Sequence, residues 1–208
     1  MYSKIKLVMF DLDGVLFDSK HNMKISWNAV SKKFYLKIEF KKYFKNVGLP
    51  FQKILRNLGI KSNFKNIENY YQKKSIENFS KIKIYPNIKK TINYLNKKKI
   101  KTAIVTSKHK KRTTKLIKKF NLKVDIVVCP SKNLKGKPYP DQLLKAIKLA
   151  KVKNSQSVYI GDMFVDYKAA KKSKSQYIHA NYGYGKRSQK YNYFIRRPDD
   201  IINLIKWK

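Results

Sequence analysis

Short apolar runs alternate along the chain with segments whose apolar residues recur every three or four positions. The runs indicate buried strands, and the longer period indicates amphipathic helices. The strand-like runs cover residues 5–10, 102–105, 124–128, 158–160 and 177–178. Because strands that alternate with helices are typical of a doubly wound parallel sheet, we predict an α/β, Rossmann-like core.

Residues 17–84 break this alternation. They offer amphipathic helical segments at 25–34, 51–58 and 67–79 but no convincing strand. We therefore predict a small, all-helical domain at 17–84, inserted after the first strand of a core formed by 1–16 and 85–208. Pro50 is expected to open a helix in the insert, and Asn87 is a candidate N-cap where the core resumes.

Acidic residues are few, and five of the 12 lie in two short clusters. Asp11, Asp13 and Asp18 follow the first predicted strand, and Asp162 and Asp166 follow the fourth. Ligands of such folds bind where the carboxyl ends of the strands meet, and clustered carboxylates suit Mg²⁺. Either cluster alone is equally typical of a turn. Asp162 and Asp166 are four residues apart, so on a helix one could bind the metal and the other orient it.

Two further strand ends carry groups that suit a phosphate. Thr106 and Ser107 follow the second core strand and offer hydroxyls and loop amides. Lys137 follows the third and places a cation immediately before Pro138 and a predicted helix. The ordered set is more informative than any one of its members.

The four segments together resemble the haloacid dehalogenase superfamily of phosphohydrolases. The similarity rests on DLDGVL at 11–16, IVTS at 104–107, Lys137-Pro138, and Gly161-Asp162 with Asp166. Residues 183–185 and 197–201 also resemble the closing segments of phosphoglycolate-phosphatase-like members. The position of the insert matches the helical C1-type cap of that family.

This resemblance implies that Asp11 is the nucleophile, which would form an aspartyl-phosphate, and that Asp13 is the general acid and base. Dehalogenases proper lack an acid at the position of Asp13, so phosphoryl transfer is favoured over dehalogenation. The implied Mg²⁺ would be held by Asp11, Asp162 and the backbone carbonyl of Asp13. The resemblance also implies that Lys137 is a catalytic and phosphate-binding cation. Thr106 and Ser107 would donate hydrogen bonds to the phosphate, and Asp166 would lie behind the metal ligands.

The cap is where the resemblance places specificity. The segment GLPFQKILR at 48–56 is similar to the cap segment that faces the active site in phosphoglycolate-phosphatase-like proteins. Lys53 and Arg56 are therefore candidates to contact an anionic leaving group. For both residues an exposed position on the helix surface is the favoured interpretation.

The expected activity is Mg²⁺-dependent hydrolysis of a small phosphorylated metabolite, either a phosphoglycolate-like compound or a sugar phosphate. A sugar phosphomutase of the β-phosphoglucomutase type is an alternative, because the aspartyl-phosphate can be returned to the substrate. A nucleic-acid end phosphatase or a binding module is a third interpretation.

Charge is the argument for that third interpretation. With 50 Lys and Arg against 12 Asp and Glu, the formal net charge is +38, which is typical of proteins that bind nucleic acid. Only five of the cations are Arg, the residue best suited to phosphate and base recognition. We therefore attribute the excess to codon composition and surface solvation and expect no nucleic-acid partner. The lysine runs at 97–99 and 108–111 are predicted to be exposed helix ends or turns.

The remaining expectations concern the cellular setting. The first apolar run ends at Asp11, too early for a signal peptide or a membrane span, so we expect a cytoplasmic protein without a membrane partner. The single cysteine, Cys129, cannot form an internal disulfide and is predicted to be a buried strand residue. A monomer and a homodimer are both compatible with the sequence.

Overall fold

A computed structural model describes residues 4–205 of the chain. In chain order its strands and α-helices are β1 (Leu7–Phe10), β2 (Phe17–Asp18), α1 (Lys20–Lys33), α2 (Phe40–Phe44), α3 (Phe51–Asn57), α4 (Phe64–Glu77), β3 (Lys83–Ile84), α5 (Ile88–Lys97), β4 (Lys101–Val105), α6 (Lys110–Lys119), β5 (Ile126–Val128), α7 (Asp141–Ala150), β6 (Ser157–Gly161), α8 (Phe164–Lys172), β7 (Gln176–Ala180), β8 (Phe194–Ile195) and α9 (Asp200–Ile205).

Six strands form one parallel sheet in the order β5-β4-β1-β6-β7-β8. All five strands predicted from the apolar runs belong to it, which confirms the α/β class. The chain builds outward from β1 to β4 and β5 on one side and to β6, β7 and β8 on the other. The sheet therefore has its switch point at β1, where a crevice for ligands is expected at the carboxyl ends of the strands.

Both faces of this sheet are buried, which explains why its strands are apolar throughout rather than alternating. Successive side chains of a strand point to opposite faces. In β1, Val8 and Phe10 pack into one core cluster, and Leu7 and Met9 pack into the other. The first cluster is completed by α5, α6 and α9, and the second by α7 and α8.

The helices α1 to α4 surround a third cluster of their own, which we call the cap core. Trp27 is fully buried there and stacks on Tyr43, with ring centroids 4.5 Å apart. The Trp27 indole also donates a hydrogen bond to the Ile38 carbonyl at 2.9 Å. This separate apolar centre fixes the shape of the cap, and α2 is a cap helix that the sequence pattern did not indicate.

The expectation that 17–84 contains no strand is wrong at both ends of the segment. β2 and β3 pair antiparallel, with Phe17 opposite Ile84 and Asp18 opposite Lys83. Phe17 is fully buried in the core beneath the cap. This two-residue ladder is too short to give an alternating pattern in the sequence. It joins the chain entering the cap to the chain leaving it.

Two smaller expectations also differ from the structure. Cys129 lies just after β5 and is half-buried, not within a buried strand. Asn87 is at the N-cap position of α5 but makes no capping hydrogen bond with its side chain, and its φ of 65° is left-handed. Asparagine tolerates that conformation better than most residues. Pro50 does precede α3 as expected.

Within residues 4–205 the structure has no helix with the length and apolarity needed to cross a membrane.

Candidate active site

Asp11 is the first residue after β1, at the centre of the sheet, and is almost completely buried. Its backbone N–H donates to the Ile160 carbonyl at 2.9 Å, so the neighbouring strand fixes its position. One carboxylate oxygen accepts a hydrogen bond from Lys137 Nζ at 2.8 Å. The carboxylate therefore has a fixed orientation at the end of the strand.

Lys137 arrives from the loop after β5 and is 1% exposed. Besides Asp11, its ammonium group lies 2.7 Å from an Asp166 oxygen and 3.1 Å from the Tyr159 hydroxyl. An ammonium has three protons, so these three contacts use its entire donor capacity. Tyr159, a β6 residue that the sequence reading missed, thus completes the anchoring of Lys137.

Asp13 is the second acid of the loop after β1, and two groups hold its carboxylate. The Ser19 hydroxyl donates to one oxygen at 2.5 Å, and Lys108 Nζ lies 3.0 Å from the other. Lys108 is 6% exposed. The prediction that the 108–111 run is an exposed helix end is therefore wrong for Lys108. Its position directly after Thr106-Ser107, at a strand end, was the available signal.

Asp162 and Asp166 lie after β6, and both are fully buried. Asp166 accepts bonds from Lys137 and Tyr159 on one oxygen and from the Met163 N–H on the other. Asp162 accepts from the Tyr184 N–H at 2.7 Å on Oδ2 only. Its Oδ1 has no hydrogen-bond partner in the described part of the chain. Asp166 is thus built to orient Lys137, and Asp162 retains a free ligand atom.

These acids fit the implied magnesium. Asp11, Asp162 and Asp166 offer carboxylate oxygens within 4.8 Å of one another, and oxygen is the ligand that Mg²⁺ prefers. The Asp162 carboxylate also lies close to Gly14 and Gly183, and a methyl group on either glycine would collide with it. Gly14 has a φ of +90° as well, a second reason for glycine there. Asp162 keeps a free Oδ1 that could bind a metal ion, whereas both oxygens of Asp166 already accept hydrogen bonds.

The pKa shifts at this site point the same way. Burial raises the pKa of Asp11 to about 7 despite the attraction of Lys137. Burial, and then the charges of Asp166 and Asp11, raise the pKa of Asp162 well above its usual range. Burial alone would lower the pKa of Lys137, but the two carboxylates it contacts outweigh burial and raise it. Three buried acids share one cation, so a divalent ion would stabilise their ionised forms.

Thr106 and Ser107 directly follow β4, but their hydroxyls differ in what they contact. Thr106 Oγ1 accepts a bond from the Lys108 N–H at 3.0 Å and faces the cavity described below. The Ser107 hydroxyl donates to the Gly48 carbonyl of the cap at 2.7 Å. Ser107 is thus a bridge between core and cap, a role that the sequence pattern did not indicate.

A cavity of about 70 Å³ lies between the strand ends and the cap. Its core side includes Asp11, Asp13, Thr106, Lys108 and Arg112, and its cap side includes Gly48, Phe51, Ile54, Glu68, Tyr71 and Gln72.

Neither of the cap candidates reaches this cavity. Lys53 and Arg56 are exposed on α3, and Arg56 lies over the Phe64 ring at 5.2 Å. On α3 the inward positions belong to Phe51, Ile54 and Leu55, so the helical period turns Lys53 and Arg56 towards solvent. The structure instead brings Arg112 of α6 to the cavity, a cation that the sequence reading did not select.

The fold and the site together define a Rossmann-like α/β protein with a buried, paired aspartate and lysine at its strand ends, beneath a helical cap. The pattern of the haloacid dehalogenase-like hydrolase family matches residues 8–180, and the chain belongs to that family. It is therefore a hydrolase, and the resemblance predicted from the sequence is confirmed.

Individual relatives are similar over nearly their whole length. The chain is 27% identical over 209 residues to a phosphoglycolate phosphatase of Aquifex aeolicus, covering 97% of each chain. It is also 27% identical over 210 residues to PpaX, named as a candidate pyrophosphatase, of Caldanaerobacter subterraneus subsp. tengcongensis, covering 98% of this chain and 96% of the relative. A crystal structure of a candidate phosphoglycolate phosphatase from Lactobacillus plantarum superposes with a TM-score of 0.88 at 22% identity, covering 97% and 99% of the two chains. That structural likeness confirms the fold.

Proposed function

We propose that the chain is a Mg²⁺-dependent phosphatase that hydrolyses a small phosphorylated metabolite through an aspartyl-phosphate on Asp11. The observation that carries this proposal is the arrangement of Asp11, buried at the end of β1 and oriented by Lys137, with Asp13 at the same cavity. Two relatives that match along nearly the whole chain are named a phosphoglycolate phosphatase and a pyrophosphatase, and both names support phosphate-ester or phosphoanhydride hydrolysis. A cavity of about 70 Å³ favours a small molecule over a nucleic acid.

In the first step a carboxylate oxygen of Asp11 attacks phosphorus as the bond to the leaving oxygen breaks. Asp13 donates its proton to that oxygen. In the second step Asp13 accepts a proton from water, whose oxygen attacks phosphorus and releases Asp11 as a carboxylate. Ser19 and Lys108 hold Asp13 in one orientation for both transfers.

The other groups support these transfers. Lys137 has its donors occupied by Asp11, Asp166 and Tyr159, so it acts by orienting Asp11 and by its positive charge. Thr106 faces the cavity and can meet a phosphate oxygen. Mg²⁺ would be held by Asp11, Asp162 and the Asp13 carbonyl, and it supplies positive charge for the phosphate oxygens.

The test is a screen of phosphorylated metabolites, with and without Mg²⁺, that measures inorganic phosphate. We expect Mg²⁺-dependent release, and we expect Asp11→Asn to lose about 10⁴-fold or more of the activity while remaining folded. Asp141→Asn is the control, since Asp141 starts α7 and does not line the cavity. Full activity in Asp11→Asn would refute the nucleophile assignment. Conversion of a sugar phosphate to an isomer, without phosphate release, would indicate the phosphomutase alternative.

A further inference from the structure

Arg112 faces the cavity without an acidic partner. It is the third residue of α6 and is only 6% exposed. Its Nε and Nη2 atoms have no hydrogen-bond partner anywhere in residues 4–205. Its guanidinium carbon lies 5.4 Å from the centre of the Tyr71 ring of the cap. A buried cation with free donors is costly, so such a group calls for an anion.

The surroundings of Arg112 do not supply that anion. The cavity acids Asp11 and Asp13 are paired with Lys137 and Lys108. Glu68 also lines the cavity but forms no ion pair with Arg112. The first turn of α6 contains no acid. Because the N-terminal end of a helix is itself positive, that position repels a cation and attracts an anion.

The leaving group of the proposed reaction would lie next to this cation. Asp13, which would protonate the leaving oxygen, is paired with Lys108, four residues before Arg112 in the chain. Lys108 and Arg112 both line the cavity. A leaving group that meets Asp13 would therefore lie in the same cavity as the free donors of Arg112.

We propose that Arg112 is a specificity-determining residue that binds an anionic group carried by the leaving group of the substrate. This inference rests on the phosphatase function proposed above. The guanidinium fork matches two oxygens of one carboxylate or phosphate, and the small cavity favours a short leaving group. Specificity is thus read by a core helix and not by Lys53 or Arg56 of the cap.

The test is a binding cycle that does not depend on turnover. In an Asp11→Asn background with Mg²⁺, titration calorimetry compares 2-phosphoglycolate with 2-hydroxyethyl phosphate, which replaces the carboxylate by a neutral hydroxymethyl group. Pyrophosphate is a third ligand, whose second anion is a phosphate. We expect Arg112→Met to weaken the affinity for 2-phosphoglycolate, for pyrophosphate or for both by about 10- to 100-fold. We expect the affinity for 2-hydroxyethyl phosphate to change by less than about 3-fold. Whichever anionic ligand is affected identifies the source of the anion.

Two controls separate this role from a structural one. Arg56→Met removes an exposed arginine from the cap and is expected to leave all three affinities unchanged. Arg112→Lys keeps the charge and is expected to recover part of the preference for the anionic ligands. The proposal would be overturned if Arg112→Met weakened the affinities for all three ligands equally or left all three unchanged. The proposed function fails separately, if the otherwise unmodified protein releases no phosphate from any phosphomonoester.

Discussion

Asp162 is a residue whose position costs folding stability at a place where it could bind a metal ion. It is fully buried, and its Oδ1 atom has no hydrogen-bond partner in residues 4–205. Burial and the neighbouring charges of Asp166 and Asp11 raise its pKa. An ionised carboxylate in this position is therefore unfavourable until a cation joins it.

Asp162→Asn is accordingly expected to stabilise the metal-free protein. The amide removes a buried charge and can still accept the Tyr184 N–H bond through its carbonyl oxygen. We expect the free energy of unfolding in urea to rise by about 1–3 kcal/mol without Mg²⁺. The stabilisation that Mg²⁺ gives to the unmodified protein should disappear in the variant. A variant that is destabilised without metal, and still stabilised by Mg²⁺, would show that Asp162 is not a ligand.

His179 provides a test with pH. It is fully buried in β7, and burial lowers the pKa of its imidazole. This pKa is lower in the folded than in the unfolded chain, so between the two pKa values the unfolded chain binds more protons. The free energy of unfolding must therefore fall as the pH is lowered through that range. We expect the stability difference between the unmodified protein and His179→Gln to narrow from pH 8 to pH 5. Urea unfolding at each pH measures it, and a difference that widens at low pH would contradict this account.

At the scale of elements, the connection between cap and core depends on Gly48. Its φ is +97°, and its carbonyl accepts the Ser107 hydroxyl. A methyl group on Gly48 would approach Val165 Cγ2 of α8 to 2.9 Å. Gly59 also has a positive φ, +79°, but a methyl group there would meet nothing within 4 Å. The two glycines thus differ in contact but share the same backbone requirement.

Gly48→Ala is therefore expected to disturb closure of the cap, whereas Gly59→Ala is its matched control. Both should lose about 1 kcal/mol of stability, because alanine is strained at positive φ. Only Gly48→Ala should also lower kcat/KM, by about tenfold, since the cap must move away from α8. Steady-state kinetics of the two variants measures this. Equal kinetics in both would mean that strain alone, not the contact with Val165, explains any loss.

The strand ends could be predicted from the sequence, whereas the β2–β3 ladder and the orientation of α3 could not. Asp11, Thr106, Lys137 and Asp162 could be found because each follows an apolar strand, and parallel strand ends meet at one edge. The ladder of β2 and β3 could not, because two residues per strand leave no periodicity. For Lys53 and Arg56, the resemblance located α3 near the site but did not indicate which side of α3 faces it, and both side chains are exposed.

Lys108 and Arg112 were missed for a different reason. Lys108 lies in a stretch so rich in lysines that no single one stands out. Arg112 is one of only five arginines, but it lies in a helix that no strand-end motif marks. What distinguishes them is burial, 6% exposure for each, and for Arg112 the Tyr71 ring of the cap contributes to it. Composition hides such residues, because a surface lysine and a buried one look alike in a chain with this many cations.

For the protein as a whole, we expect the net charge of +38 to act on an anionic substrate before it binds. A strongly positive protein raises the local concentration of anions, and salt screens the effect over a Debye length of about 8 Å at 0.15 M. We expect kcat/KM to fall several-fold as KCl rises from about 0.02 to 0.5 M at saturating Mg²⁺, while kcat stays nearly constant. The decline should be steeper for 2-phosphoglycolate than for 2-hydroxyethyl phosphate, which carries one negative charge fewer. Equal slopes for the two substrates would show that the surplus lysines serve solvation alone and do not steer the substrate.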